Sequence, residues 1–245
     1  MNQVICTVDV VLLTLQDDAL KVALLQRERE PFASMPALPG GYIHADEDQG
    51  AKSAALRVLR EKTGISPPYL EQLATFSGPA RDPRGWSVSI IYYALVSYPV
   101  LLGNSASSNE SGTTGNTLDH TGHLATSIAH PAIQLVDINH LPALPFDHAS
   151  IIGTAVERLR IKSQYSSLPC YLAGEQFTLP QLQRIYEALM DEPLNKVSFR
   201  RKMTEMAMLE EIHGQFAAAG AHRPAQLYRL KAEFAQELTM LQRGL

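Results

Sequence analysis

The hydrophobic pattern of this chain changes character near residue 164, so one repeating architecture cannot accommodate both parts. Up to that point, β-branched apolar runs alternate with helical patterns. Val4 to Leu15 reads as a strand, Gln16-Asp17-Asp18 turns it, and Leu20 to Leu25 returns. Pro31 to Gly41 is broken up by prolines. From Lys52 to Lys62 the period is helical: Ala51, Ala54, Ala55, Val58 and Leu59 share one face, and Gly64 stops the helix. Strands are expected at Tyr69 to Ser77, Ser87 to Ser97 and Ile133 to Val136. A helix over Ala149 to Ser163 points Ile152, Val156 and Leu159 inward. From Phe177 on, helices dominate. The pattern predicts an α+β chain of two domains, 1–165 and 166–245, with a hinge at Gln164 to Gly174. A length of 245 residues suits two domains better than one.

Composition narrows the function classes. With 45% hydrophobic and 19% charged residues the chain is globular, neither disordered nor collagen-like. A net charge of −4 excludes a uniformly basic nucleic-acid coat but leaves room for a local basic patch. Cys6 and Cys170 are far apart and lack metal-ligand spacing, which fits a reducing compartment. The apolar run Val10 to Leu13 is far short of a membrane span, and no basic segment precedes an apolar stretch at the start. A soluble, cytoplasmic protein is expected. The stretch from Gly103 to Ser127 is dominated by Ser, Asn, Thr and Gly and reads as a flexible insertion. We read its Asp119, His120 and His123 as parts of a solvated loop rather than a metal site.

Within the first domain, Gly40-Gly41, Glu47 and the run Arg57-Val58-Leu59-Arg60-Glu61-Lys62-Thr63-Gly64-Ile65 resemble the Nudix box. The resemblance implies an α/β/α sandwich with a mixed sheet, and in most members metal-dependent hydrolysis of a nucleoside diphosphate linked to another group. That chemistry uses three carboxylates on one helix face, which hold a hard dication against phosphate oxygens. Here the three positions are Val58, Glu61 and Lys62, so the local formal charge is zero instead of −3. A dication has little reason to bind beside Lys62. Nine residues rather than seven separate Glu47 from Arg57. Glu61 also has a plain structural reading as the i+4 partner of Arg57, and Val58 continues the apolar face. No catalytic residues, no metal site and no efficient pyrophosphate hydrolysis are therefore expected. A cleft with Arg27, Gly41, Arg57, Glu61, Arg81 and Asp82 can still hold a nucleotide through charge-assisted hydrogen bonds. The competing enzyme reading, a metal-dependent pyrophosphatase acting on ADP-ribose or a sugar nucleotide, rests on the fold and on Glu47 and Glu61.

In the second domain, Thr178 and Gln181 form a capping box before an apolar stripe of Leu179, Leu182, Ile185, Tyr186 and Leu189. After a turn at Met190 to Leu194, a second helix begins near Asn195 and runs to Met206. Phe199, Met203 and Met206 face its core, while Arg201 points nearly opposite, with Val197, Ser198 and Thr204 on the same outer side. Lys196, Arg200 and Lys202 add charge. Met208 to His213 and Ala225 to Leu230 read as strands around a tip at Gln215 to Arg223. Helix, turn, basic helix and hairpin describe a winged helix-turn-helix. Such a domain suits duplex DNA, with outward side chains on base edges and cations on phosphates. A helical interaction domain with a solvated basic face, or an adaptor for RNA or protein, is the alternative.

Together the two halves resemble the NrtR family, the Nudix-related transcriptional regulators of NAD metabolism. The residues that carry this are Leu38 to Ile43, Arg57 to Gly64, Arg81 to Gly85, Phe146 to Ala149, Phe177 to Leu179, Phe199 to Lys202 and Arg223 to Ala225. The resemblance implies a homodimeric repressor on palindromic operators of NAD synthesis or salvage genes, released when ADP-ribose binds as effector, with no required cofactor. It places Arg57, Arg81 and Asp82 near the ligand and Lys196, Arg200, Arg201, Lys202 and Arg223 on DNA. Ser198, Thr204 and His222 join the DNA set from the helix face and the hairpin tip.

Overall fold

The computed structural model describes residues 4–103, 133–217 and 224–236. Its first unit is built on β1 (Ile5–Gln16), β2 (Ala19–Gln26), β3 (Pro36–Ala37) and β4 (Gly40–Tyr42), then α1 (Ala51–Thr63). β5 (Tyr69–Gly78), β6 (Ser87–Leu95), α2 (Tyr98–Leu101), β7 (Ile133–Asp137) and α3 (His148–Ser163) follow. The strands form one sheet in the order β3-β2-β1-β6-β5, with β4 added to β1 and β7 to β2. β1 and β6 run parallel from Ile5 opposite Ser87 to Leu13 opposite Leu95, and the other pairs are antiparallel, so the sheet is mixed.

Helices cover both faces of this sheet, which explains the consecutive apolar residues Val10 to Leu13 in β1. On one face Val10, Leu12, Ala23 and Ala94 pack with Ala55 and Leu59 of α1. On the other Val11, Leu13, Leu24, Tyr93 and Leu95 pack with Ile151, Ile152, Ala155 and Leu159 of α3. Gly64 ends α1 at φ 69°, a left-handed conformation that favours glycine.

The second unit comprises α4 (Pro169–Ala173), β8 (Phe177–Thr178), α5 (Leu179–Met190), α6 (Lys196–Met206), β9 (Leu209–Ala217), β10 (Ala225–Leu230) and α7 (Ala232–Gln236). β8, β10 and β9 form a small antiparallel sheet, and with α5 and α6 they make the winged helix. The capping box is present: Thr178 N–H donates to Gln181 Oε1 at 2.8 Å, and Gln181 N–H donates to Thr178 Oγ1 at 3.3 Å. Asn195 caps α6.

Two expectations change. The hinge at Gln164 to Gly174 is not a loose linker, because it contains α4 with Leu168, Cys170, Tyr171 and Leu172 buried. Leu168, Tyr171 and Leu172, with Ile185 and Leu189 of α5, belong to the same apolar core as β1, β6 and α3. The two units thus share a core, while Cys170, Phe177, Leu182, Tyr186, Phe199, Met203 and Met208 form the winged helix's own. The hairpin tip is also shorter than expected. β9 continues to Ala217, with Phe216 opposite Gln226 and Ala217 opposite Ala225, since backbone pairing tolerates the small and polar side chains there. His222 and Arg223 lie outside the described residues, as does the expected insertion beyond Gly103, with Asp119, His120 and His123.

Candidate functional site

The first candidate surface is the cleft around the Gly40-Gly41 turn. β4 brings these glycines against β1, with Gly41 opposite Val8 and Gly40 opposite Asp9. Any Cβ on Gly40 would meet Asp9 Oδ1 at 1.9 Å, so that position excludes a side chain, and one on Gly41 would meet Val58 Cγ2 at 3.0 Å, so Val58 would have to give way. Val58 is 1% exposed and packs with Val8 and Ala54, beneath the turn.

Arg57 is held from several sides. Its Nε and Nη2 donate to Asp48 at 2.9 and 2.7 Å, Nη2 also donates to the Tyr42 carbonyl at 2.9 Å, and Nη1 donates to Glu61 at 3.3 Å. These bonds hold the Asp48 carboxyl down to about 2. Glu47 is exposed and 3.9 Å from Arg57, nearer to His44. The longer loop therefore makes Asp48 the partner of Arg57, a role that sequence reasoning missed. Arg81 makes a two-pronged pair with Asp147, the residue before α3, at 3.0 and 2.9 Å, and donates to Ser87 at 3.2 Å. Asp82 is buried and grips Arg84 at 3.0 and 2.6 Å, and that bonding keeps its carboxyl below the usual range. Arg84 in turn donates to the Tyr42 hydroxyl at 2.7 Å.

Arg27 differs from these three. It donates to the carbonyls of Pro31 and Arg29, and among the described residues no carboxylate lies within ion-pair distance of it. Its guanidinium lies over the Phe146 ring, 4.8 Å from the centroid, and Phe32 meets Phe146 edge-on at 5.0 Å. Phe32 and Phe146 both adopt positive φ, 67° and 55°, which bulky side chains rarely do. Desolvation, with Arg84 close by, lowers the Arg27 guanidinium, while Asp9 and Asp82 oppose the shift. Lys62 is pushed down by desolvation and by Arg27, against the pull of Asp9 and Glu61. Arg27 and Lys62 are thus close enough to Asp9 and to each other for their charges to interact.

Asp9 and His148 form the floor. Asp9 is a buried carboxylate in the apolar run of β1, where it accepts from Ser89 Oγ at 2.5 Å. His148, the first residue of α3, accepts the Leu38 N–H at Nδ1 (3.1 Å) and turns Nε2 toward Asp9 at 3.9 Å. Asp9 was legible in principle as a lone charge inside a buried strand. The Phe32–Phe146 pair was not, because it depends on two loops meeting.

The donor set does not fit a hard dication. Of the three helix positions, Val58 is core, Glu61 is tied to Arg57, and Lys62 carries the wrong sign. Among the described residues no three His, Cys, Asp or Glu side chains converge as a metal-binding group.

The second candidate surface is α6. Phe199 and Met203 are buried, whereas Lys196, Val197, Ser198, Arg200, Arg201 and Thr204 are exposed. Val197 and Ser198 N–H groups donate to Asn195 Oδ1, each at 3.0 Å. Lys202 is half-buried on the flank. With Arg201 it lines a cavity of about 470 Å³ that reaches Gln164 at the end of α3.

A Nudix sandwich sharing its core with a winged helix defines a class of protein that couples a nucleotide-type cleft to a nucleic-acid surface. Comparisons with known proteins agree. The NUDIX domain matches residues 7–112 and the NrtR DNA-binding winged helix domain matches residues 169–230. The "ADPR responsive transcriptional repressor NtrR" of Acinetobacter baylyi is 38% identical over 91% of this chain and 80% of its own length. The crystal structure of Shewanella oneidensis NrtR complexed with a 27mer DNA is 36% identical, covers 98% of this chain and 99% of its own, and has a TM-score of 0.80. An ADP-ribose pyrophosphatase of Methanocaldococcus jannaschii is 31% identical over 54% of this chain and 63% of its own length. This chain belongs to the NrtR family of Nudix-related transcriptional regulators.

Proposed function

We propose that this protein is a DNA-binding repressor of NAD synthesis or salvage genes, whose Nudix cleft senses ADP-ribose and does not hydrolyse it. The observation that carries this is the replacement of the metal-binding face by the core side chain of Val58 and the cation of Lys62, in a chain with a winged helix built onto its sandwich core. Similarity over nearly the whole length to a repressor named for its response to ADP-ribose supports the effector. The protein acts in the cytoplasm as a homodimer on a palindromic operator. Among the described residues, no helix is long and apolar enough to cross a membrane.

In the cleft, Arg27, Gly41, Arg57, Glu61, Arg81 and Asp82 surround the ligand. Diphosphate oxygens go to the guanidinium groups, and the Phe32–Phe146 wall takes an aromatic ring. On the DNA side, Ser198, Arg201 and Thr204 meet base edges, while Lys196, Arg200, Lys202, His222 and Arg223 supply backbone and hairpin contacts.

α3 links the two surfaces. Its N-terminal end is clamped by Arg81–Asp147 and by Leu38–His148. Its 16 residues span roughly 24 Å. At its far end Lys162 binds Glu71 at 2.6 Å, and just past it the Ser166 carbonyl accepts from the Tyr186 hydroxyl of α5 at 3.4 Å. A diphosphate that draws Arg81 away from Asp147 loosens the near end and changes the seat of α5. Recognition helices of a two-fold dimer must keep the half-site spacing, so a small shift weakens binding. The ligand's leverage equals its differential affinity for the two arrangements.

A mobility-shift assay on promoter DNA upstream of NAD-synthesis genes tests this reading. A retarded band that ADP-ribose abolishes is expected, and a band unaffected by millimolar ADP-ribose eliminates the sensor. The exposed Glu61 and the partial likeness to an ADP-ribose pyrophosphatase favour a second reading, a metal-dependent pyrophosphatase. Turnover of ADP-ribose with Mg²⁺ near one per second or faster, an ordinary enzyme rate, would establish it instead.

A further inference from the structure

Val197 stands in the middle of the outward face of α6, yet the DNA-contact residues read from the sequence leave it out. It is 75% exposed, the most open of the exposed large hydrophobic side chains among the described residues. At about 100° per residue it lies within about 40° of Arg201 and about 20° of Thr204, on the far side from buried Phe199 and Met203. Its position is fixed in advance. Its own N–H is held by the Asn195 cap at 3.0 Å, and a β-branched side chain in a helix has essentially one χ1 rotamer. An apolar group held rigidly in water gains by meeting another apolar group and gives up little entropy in doing so.

The surroundings identify its partner. Lys196, Arg200 and Arg201 are exposed around it, so a polyanion is the surface this face attracts. On the floor of the major groove the four bases present donors and acceptors, and only thymine adds an apolar group, its C5 methyl. We infer that Val197 packs on a thymine methyl and so fixes a thymine in each half-site of the operator. This rests on the reading of α6 as the recognition helix.

The test uses the full-length protein and the duplex it enriches from a randomised 27-base-pair library. Each thymine of that duplex is replaced in turn by deoxyuridine, which removes only the methyl group. At one thymine per half-site the wild-type protein is expected to lose about fourfold in affinity, the factor that one buried methyl group supplies. Val197→Ala, an exposed substitution that leaves the core of the domain untouched, should be insensitive at that same thymine. No methyl-sensitive thymine, or equal sensitivity in the wild type and in Val197→Ala, overturns the inference. In that event, Lys196→Ala and Arg200→Ala that still weaken binding to an unrelated duplex leave the recognition-helix reading standing. An unenriched library, or no effect of those two variants, removes that reading and the Val197 inference with it.

Discussion

In the sandwich, Arg57, Arg81 and Arg84 are each gripped by a carboxylate within 3 Å. On α6, among the described residues, Lys196, Arg200 and Lys202 form no ion pair, and Arg201 reaches only an exposed Glu205 at 3.7 Å. The same residue types do different work in the two regions. In the sandwich the guanidiniums are held in place by their partners, and a ligand that used them would have to compete with Asp48, Asp82 and Asp147. On the helix Lys196 and Arg200 are exposed and available to phosphates without displacing a carboxylate. A cleft of paired groups suits a ligand that changes conformation by exchanging partners. A face of unpaired groups suits fast, salt-dependent association.

Two regions that communicate need a physical link, and the shared core supplies one. Leu189 belongs to α5 yet is buried against the sandwich side. Leu189→Ala should cost about 2–4 kcal/mol of stability and lower the urea midpoint of one common transition. Two separate transitions in the wild-type protein, with only the winged helix affected, would mean that the regions fold independently. Next comes Arg81→Ala. It leaves Asp147 without its two-pronged partner at the head of α3, for a loss of about 2 kcal/mol. It should also weaken ADP-ribose binding by isothermal titration. Unchanged DNA release by ADP-ribose in this variant would remove Arg81 from the coupling.

On the helix, the expected effects separate by role. Arg201→Ala should relax operator preference at the base pair it reads, since one well-formed base contact discriminates by about 1–3 kcal/mol. Arg200→Ala should weaken all duplexes alike and reduce the slope of log affinity against log salt by about one. An Arg201 variant that retains its preference would move base reading elsewhere. A smaller effect is expected of Asn195→Ala, which frees the two N–H groups that begin α6, for about 1 kcal/mol of stability.

Legibility in the sequence divides along the line between local and distant contacts. α1 with its Gly64 stop, the Thr178–Gln181 capping box and the Asn195 cap were readable because their determinants lie within a few residues. So was the mixed strand-helix character, since β1, β2 and β6 carry their burial in their own composition. The expected Arg57–Glu61 pair forms, but Asp48 as a second and closer partner of Arg57 was not readable, because the course of the loop before α1 decides which further carboxylate arrives. Nor was the packed hinge: Leu168, Tyr171 and Leu172 look like a short apolar linker until the sheet they cover is known. Arg27 was read as a cleft residue, but its place over Phe146 depends on a loop more than a hundred residues away.

The smallest expected effect concerns the floor of the cleft, and its sign is set by burial. His148 is buried and neutral, with Nδ1 accepting from Leu38. Desolvation lowers its imidazole below the ordinary value of 6.5, with Arg27 and Arg81 adding to the shift and Asp9 and Asp147 opposing it. The unfolded chain therefore takes up this proton first as pH falls. Stability from this group is whole above about pH 6.5 and declines as pH drops toward the lower folded-state value. The decline is at most about 1.4 kcal/mol per pH unit. Urea midpoints at pH 7.5 and 5.5 should therefore differ more for the wild type than for His148→Gln, whose amide oxygen can still accept from Leu38. Equal differences in the two proteins would mean that His148 stays accessible to protons in the folded state. The Asp9–His148 floor of the sandwich would then be open to water, as the basic face of α6 is.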